Sequence, residues 1–227
     1  MNPLRRAYVV AKGLAFQARR RRKKFDIQSE PWLEPDARAY LGQALESSRS
    51  YLEFGSGGST LLALSHSCRV VSVESDRFFM AAVEEAIHGR ALAPASTYRL
   101  ISTDIGPTAW YGMPIMPLAR FNRHKWHRYP QAPWTVYESQ VFGWPDIVLI
   151  DGRFRVACAL ECMMRIPAGH DFQVLVDDWT GRPEYALLPS LCEHVTTHGR
   201  MGVFRRPLDF DSVAMATALN VAYLDPR

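Results

Sequence analysis

The stretch that most constrains how this chain can fold is Tyr51-Leu-Glu-Phe-Gly-Ser-Gly-Gly-Ser-Thr60. It reads as a short buried strand that breaks into a glycine turn and then starts a helix. Gly55, Gly57 and Gly58 remove Cβ atoms where the backbone must turn sharply and where a ligand can come close. Glu53 stands two residues before the first glycine, at the carboxyl end of the strand. A carboxylate there is costly to desolvate unless a cation or hydrogen-bond donors meet it. Nineteen residues after Gly55, a second strand, Arg69-Val-Val-Ser-Val-Glu74, ends in another acid. That spacing predicts a β-turn-α-β unit whose second strand offers Glu74 to a ribose diol.

Taken together, Glu-Phe-Gly-Ser-Gly-Gly-Ser and Val-Ser-Val-Glu-Ser-Asp resemble the class I S-adenosylmethionine-dependent methyltransferases, over roughly Tyr51 to Pro207. The resemblance implies an α/β fold, Rossmann-like and doubly wound, with a mostly parallel seven-stranded sheet and helices on both faces. It implies that Glu53 and the turn formed by Gly55, Ser56, Gly57, Gly58 and Ser59 hold the methionine part of S-adenosylmethionine. Glu74, with Ser75 beside it, would take the ribose hydroxyls. Asp104, beyond a third strand at Thr97–Ser102, would meet the adenine amine; a plain surface acid is the alternative for that residue.

A nicotinamide dinucleotide is the nearest competitor. Its Gly-x-Gly-x-x-Gly pattern, counted from Gly55, would place the third glycine at Thr60. Glu53 would also repel a pyrophosphate, whereas it would attract an ammonium and a sulfonium. An NAD(P)-dependent oxidoreductase is therefore the second reading. A non-catalytic, membrane-associated module that keeps the nucleotide fold is the third.

Charge divides the chain unevenly. Residues 1–24 hold nine of the 27 Lys and Arg and none of the 23 Asp and Glu, so the rest carries 18 bases against 23 acids. The body is thus no basic platform for nucleic acid, and no interleaved aromatic pattern in the arm favours RNA. The arm, residues 1–28, can sit on an anionic membrane surface through residues 1–24, at about 1 kcal/mol per basic residue, or remain solvated. Residues 29–207 form the methyltransferase-like domain, and 208–227 read as an appendage. Cys68, Cys158, Cys162 and Cys192 show no metal-type pairing, which suits reduced thiols in a cytoplasmic protein, with a peripheral place at the inner membrane face as an option.

Elsewhere the pattern alternates strands and helices. A helix follows Glu34 with Pro35 in its first turn. Another, capped by Ser75 or Asp76, turns Phe79, Val83, Ala86 and Ile87 inward. Arg153–Arg165 should be helical with Val156, Ala157, Leu160 and Met164 inward, and His194–His198 with Met201–Arg206 should close the sheet as an antiparallel pair. Residues 106–145 read as a structureless insertion serving as a substrate lid. Trp110-Tyr111-Gly112 and Trp134 would anchor it over the cofactor cleft. Its Arg120, Arg123, His124, Lys125, His127 and Arg128 suggest an anionic or polyhydroxylated acceptor.

The chemistry would lie at two strand ends, Asp146-Ile-Val-Leu-Ile-Asp151 and Phe172-Gln-Val-Leu-Val-Asp177-Asp178. Methyl transfer is an in-line displacement, and a hydroxyl nucleophile needs its proton removed. Asp151 is the candidate base, with His124 or His127 as substitutes. Asp151, Asp177 and Asp178 could also ligate Mg²⁺, as the similarity to cation-dependent O-methyltransferases implies. Asp178 stands where those enzymes usually have Asn, and Phe154 where they have a Lys base. The alternative is that Asp177 caps the next turn while Arg153 or Arg155 neutralises Asp151. No Asn-Pro-Pro-Tyr follows the strand, which disfavours methylation of base amines. The sequence therefore points to methyl transfer onto oxygen of a small-molecule or glycan-type acceptor.

Overall fold

Side-chain alternation along β1 (Ser50–Phe54) explains why the sheet has two cores. Leu52 and Phe54 enter one, and Tyr51 enters the other. β1 pairs in parallel with β2 (Arg69–Glu74), in a register that sets Glu53 beside Ser72. On its other side lies β4 (Ile147–Ile150), also parallel. With β3 (Tyr98–Ser102), β5 (Gln173–Val176), β6 (Glu193–His198) and β7 (Met201–Arg205), the order is β3-β2-β1-β4-β5-β7-β6. Only β7 runs against its neighbours β5 and β6. The sheet is therefore mostly parallel, with an antiparallel hairpin at one edge. Strand order reverses between β1 and β4, which opens a crevice at their carboxyl ends.

The computed structural model describes residues 2–21 and 24–227. Met1 and two members of the expected basic arm, Arg22 and Lys23, lie outside the described residues. Helices α2 (Pro35–Glu46), α3 (Gly58–Ser65) and α4 (Arg77–Gly89) cover one face through residues such as Leu41, Leu61 and Val83. The opposite face carries α5 (Met116–Asn122), α6 (Arg128–Gln131), α7 (Trp134–Glu138), α8 (Arg155–Arg165), α9 (Leu187–Leu191) and α10 (Ser212–Ala222).

Four expectations change. Residues 106–145 are not a structureless lid. They contain α5 to α7, and Trp126, Tyr129, Trp134 and Tyr137 are buried in the core because their large apolar surfaces cover the sheet. The tip around Trp110–Gly112, tied by a Thr108–Pro114 bridge, stays beside the crevice, and Tyr129 reaches the wall of its smaller pocket. Met164 is exposed and Met163 buried, because α10 covers a second side of α8. Residues 208–227 are no appendage: α10 packs into the core, and the Pro226 and Arg227 carbonyls accept from the Phe154 and Arg155 N–H groups at 3.3 and 3.0 Å. Those bonds satisfy donors that the start of α8 leaves free.

The arm is likewise built into the fold. α1 (Pro3–Arg20) lays Gly13 on Ile115, just before α5, where any side chain at position 13 would collide. Phe16 packs on Trp110 with ring centroids 5.2 Å apart.

Candidate functional site

The glycine turn divides its labour. Gly55 has φ +104°, and an added Cβ would lie 2.8 Å from the Gly152 nitrogen, so this position lets the turns after β1 and β4 touch. A Cβ on Gly58 would collide with the Glu30 carbonyl of the segment that follows the arm. Around Gly57 there is open space, which is where a ligand can approach the backbone.

Glu53 does not face that opening. Alternation along β1 turns it beneath the loop, where it is fully buried. Its carboxylate accepts from Ser59 Oγ at 2.5 Å, Ser72 Oγ at 2.6 Å, Tyr51 OH at 3.1 Å and also from Thr60 Oγ1. Burial pushes this carboxyl up from its usual range, and the four hydroxyls oppose that push. Thr60 Oγ1 accepts in turn from the Gly57 N–H at 3.0 Å. The acid therefore braces the turn from below, and the expected direct grip on methionine is corrected. Ser59 spends its hydroxyl on the same brace. Ser56 lines the cleft and shares a 2.7 Å hydrogen bond with Ser72.

Glu74 stands at the cleft as expected. Its Oε1 accepts the Ser75 and Asp76 N–H groups at 2.6 and 2.8 Å, which fixes the carboxylate at the wall of the pocket. Burial raises its pKa and these backbone donors counter the rise. With Ser56, Ser75, Tyr111 and Arg153 it lines a pocket of about 180 Å³. This adjoins a cleft of about 990 Å³ bounded by Gly55–Ser59, Asp151, Trp32 and Trp110, within the range of small-ligand sites. Asp76, not Ser75, caps α4, accepting from the Phe78 and Phe79 N–H groups.

Asp104 is a second correction. Its carboxylate accepts from Lys125 Nζ at 2.7 Å and the Gly106 N–H at 2.8 Å, so it closes its own loop outside the cleft. That ion pair and hydrogen bond hold its pKa below the usual carboxylate range. The basic cluster also points elsewhere: among the described residues, none of positions 120–128 lines either cavity, and only the next residue, Tyr129, enters the wall of the smaller one.

At the end of β4, Asp151 is 37% exposed at its side chain and lines both cavities. Burial pushes its pKa up to about 7; Arg155 opposes this, and Asp177 and Asp178 add to it. Arg155, only 3% exposed, approaches Asp151 Oδ1 at 3.1 Å and donates to the Gly152 carbonyl at 3.1 Å and to the Asp177 carbonyl. Asp178, at φ +56°, pairs with Arg200 at 2.8 Å and Arg182 at 2.6 Å, and lies 3.8 Å from Arg155.

This arrangement does not fit Mg²⁺ held by Asp151, Asp177 and Asp178. Arginines occupy the positions a cation would need, and among the described residues no three acidic, His or Cys side chains are grouped to ligate one. The alternative that Arg155 neutralises Asp151 is the one the geometry favours.

Two wall residues had no readable signal, and a third, Arg153, was readable only as a candidate partner of Asp151. Arg20, at the end of α1, pairs with Asp76 and lines both cavities, and Phe16 joins it in the larger one. Arg153 lines the smaller pocket with a buried Nε that has no hydrogen-bond partner among the described residues. Burial lowers its pKa. Only contact across the fold identifies Arg20 and Phe16, because no local motif carries them.

Among solved structures, the chain is similar to a methyltransferase-like protein from Silicibacter pomeroyi, with 31% identity and a TM-score of 0.74, covering 88% of this chain and 100% of that one. It is also similar to an O-methyltransferase from Bacillus cereus solved in complex with SAH, at 12% identity and TM-score 0.49, covering 90% and 92%. A methyltransferase from Geobacter sulfurreducens gives 16% identity and TM-score 0.46, covering 88% of each chain. No family model and no curated protein matches the chain. Among the described residues, no helix is long and apolar enough to cross a membrane.

Proposed function

Because the chain belongs to the class I S-adenosylmethionine-dependent methyltransferases, we propose that it transfers a methyl group to an oxygen of a small-molecule or glycan-type acceptor, with Asp151 as general base. The observation that carries this reading is a carboxylate at the end of β4, open to the cleft, whose pKa is pushed up to about 7. A base with that value accepts a hydroxyl proton efficiently near neutral pH.

The residues present suit the cofactor. Open space over Gly57 lets a ligand approach the turn, and the fixed Glu74 carboxylate at the pocket wall suits a pair of hydroxyls. S-adenosylmethionine, when bound, supplies an activated methyl on a sulfonium. The chain's own residues do the rest: Glu74 and the turn orient, Asp151 takes the proton, and Arg155 keeps the Asp151 carboxylate aimed. Trp32 and Trp110 offer flat apolar faces beside the Glu30–Arg38 ion pair, a combination suited to a ring with polar edges.

Calorimetric titration with S-adenosylhomocysteine and with NAD⁺ tests the first step. Binding of the former alone is expected, and binding of NAD⁺ alone would end the methyltransferase reading. Incubating the protein and an Asp151→Asn variant with radiolabelled S-adenosylmethionine and a small-molecule extract tests the second. Label should enter an alkali-stable ether with the parent protein and not with the variant. Labelled nitrogen products would sink the oxygen assignment.

A further inference from the structure

Among the described residues, the outer face of α1 is left exposed. Leu4, Tyr8 and Leu14 are 82%, 64% and 46% exposed, and Ala11, Ala15 and Ala18 lie between them at helical spacing. The inner face is already used by Gly13, Phe16 and Arg20. Arg5, Lys12 and Arg19 flank the outer stripe, and the arm has no acid before Asp26. α5, which packs near the inner face of α1 through Ile115 and Gly13, also leaves Met116 and Phe121 exposed at 50% and 59%.

Such a surface is unusual for a protein body that is otherwise acidic. Large exposed apolar patches mark interaction sites. An apolar stripe edged by one sign of charge is the pattern of a helix lying in a lipid interface, where long basic side chains reach the headgroups and apolar ones enter the acyl boundary.

We propose that the outer face of α1 docks on an anionic lipid bilayer. Lys12 Nζ lies 5.3 Å from the Trp110 ring, so the patch reaches the rim of the cleft. Docking there brings the Lys12–Trp110 rim of the cleft close to the membrane surface.

The full chain is tested by co-sedimentation with vesicles of phosphatidylcholine alone and of phosphatidylcholine with phosphatidylglycerol, each at low and raised salt. Binding to the anionic vesicles only, weakened by salt, is expected. Each basic residue near such a surface changes binding about fivefold, so an Arg5→Gln, Lys12→Gln pair should bind about thirtyfold more weakly. Leu4→Gln with Leu14→Gln should lower binding about tenfold or more, because apolar burial is lost. Arg49→Gln, at the amino end of β1, should change nothing. The Leu4, Leu14 double variant and Arg49→Gln should keep the affinity for S-adenosylhomocysteine, since their side chains are exposed and line neither cavity. Equal binding to both vesicle types, no binding to either, or an equal effect of Arg49→Gln overturns the proposal. So does tight binding to an RNA oligonucleotide with no response to vesicles.

Discussion

Arg155 Nη2 stands 3.1 Å from Asp151 Oδ1, and the same buried guanidinium reaches the Asp177 carbonyl at the end of the next strand. Arg155 opens α8, whose first N–H groups are held by the Pro226 and Arg227 carbonyls. The aim of the candidate base thus depends on a buried cation, and that cation's placement depends on residues more than seventy positions away. The two are coupled, because the Arg155 charge is almost wholly buried and depends on the carboxylate beside it.

The first prediction concerns pH. A base whose pKa is pushed up to about 7 should make methyl transfer rise with pH through about 7. Since Arg155 lowers that pKa, Arg155→Gln should move the midpoint upward. Stability runs the other way. The folded chain keeps a proton on Asp151 between about pH 4 and about pH 7 that the unfolded chain releases, so this contribution is present in acid and lost as pH climbs through about 7. Thermal unfolding across that window should show a decline that Asp151→Asn flattens. An identical slope in the variant would assign the decline to other groups.

Arg155→Met should cost about 1–3 kcal/mol, because it strips donors from three carbonyls and leaves the partly open Asp151 without its cation. Lysine should rescue little, since its single ammonium cannot span the oxygens that the planar fork reaches. Urea denaturation of the two variants measures both. A loss below about 1 kcal/mol for methionine would mean that the network is ornamental.

Glu53 separates two kinds of electrostatics. If it gripped the cofactor's ammonium, Glu53→Gln would weaken S-adenosylhomocysteine while sparing 5′-methylthioadenosine, which lacks the amino acid. The four hydroxyls around it predict instead that both ligands weaken together and that stability falls by about 1–3 kcal/mol, as a buried hydrogen-bond cluster is disturbed. Calorimetry with the two ligands decides.

That case also shows what was legible in the sequence. The glycine turn, Glu74 and the alternation of apolar strands with helical stripes specify the sheet, because each is a local pattern with a fixed period. Asp151 was legible for the same reason, standing where an apolar strand ends. Glu53 was identified by position but misread in direction: alternation places it under α3, and only the register with Ser72 reveals the hydroxyls that satisfy it. Asp104 failed because its partner, Lys125, lies 21 residues away. The insertion was misjudged because Trp126, Tyr129 and Trp134 signal bulk, and bulk fits a core or a lid equally well until the sheet face beneath is known. Arg20 lines the cleft through a tertiary contact with Asp76 that no spacing announces.

Tyr111 provides the last test. It has φ +56° and is 81% exposed, so its side chain gains little from packing while its backbone sits in a region that costs a non-glycine residue about 1–2 kcal/mol. It nevertheless lines both cavities, and strain of this kind gathers where a ligand is held. Tyr111→Gly removes the strain and adds freedom to the unfolded chain, two effects of similar size and opposite sign. Stability should therefore hold within about 1 kcal/mol. Loss of an aromatic face worth about 0.5–1.5 kcal/mol should meanwhile weaken S-adenosylhomocysteine roughly fivefold. Calorimetry paired with thermal unfolding reads both quantities on one sample. Unchanged affinity together with a marked loss of stability would make Tyr111 a structural residue and remove it from the site.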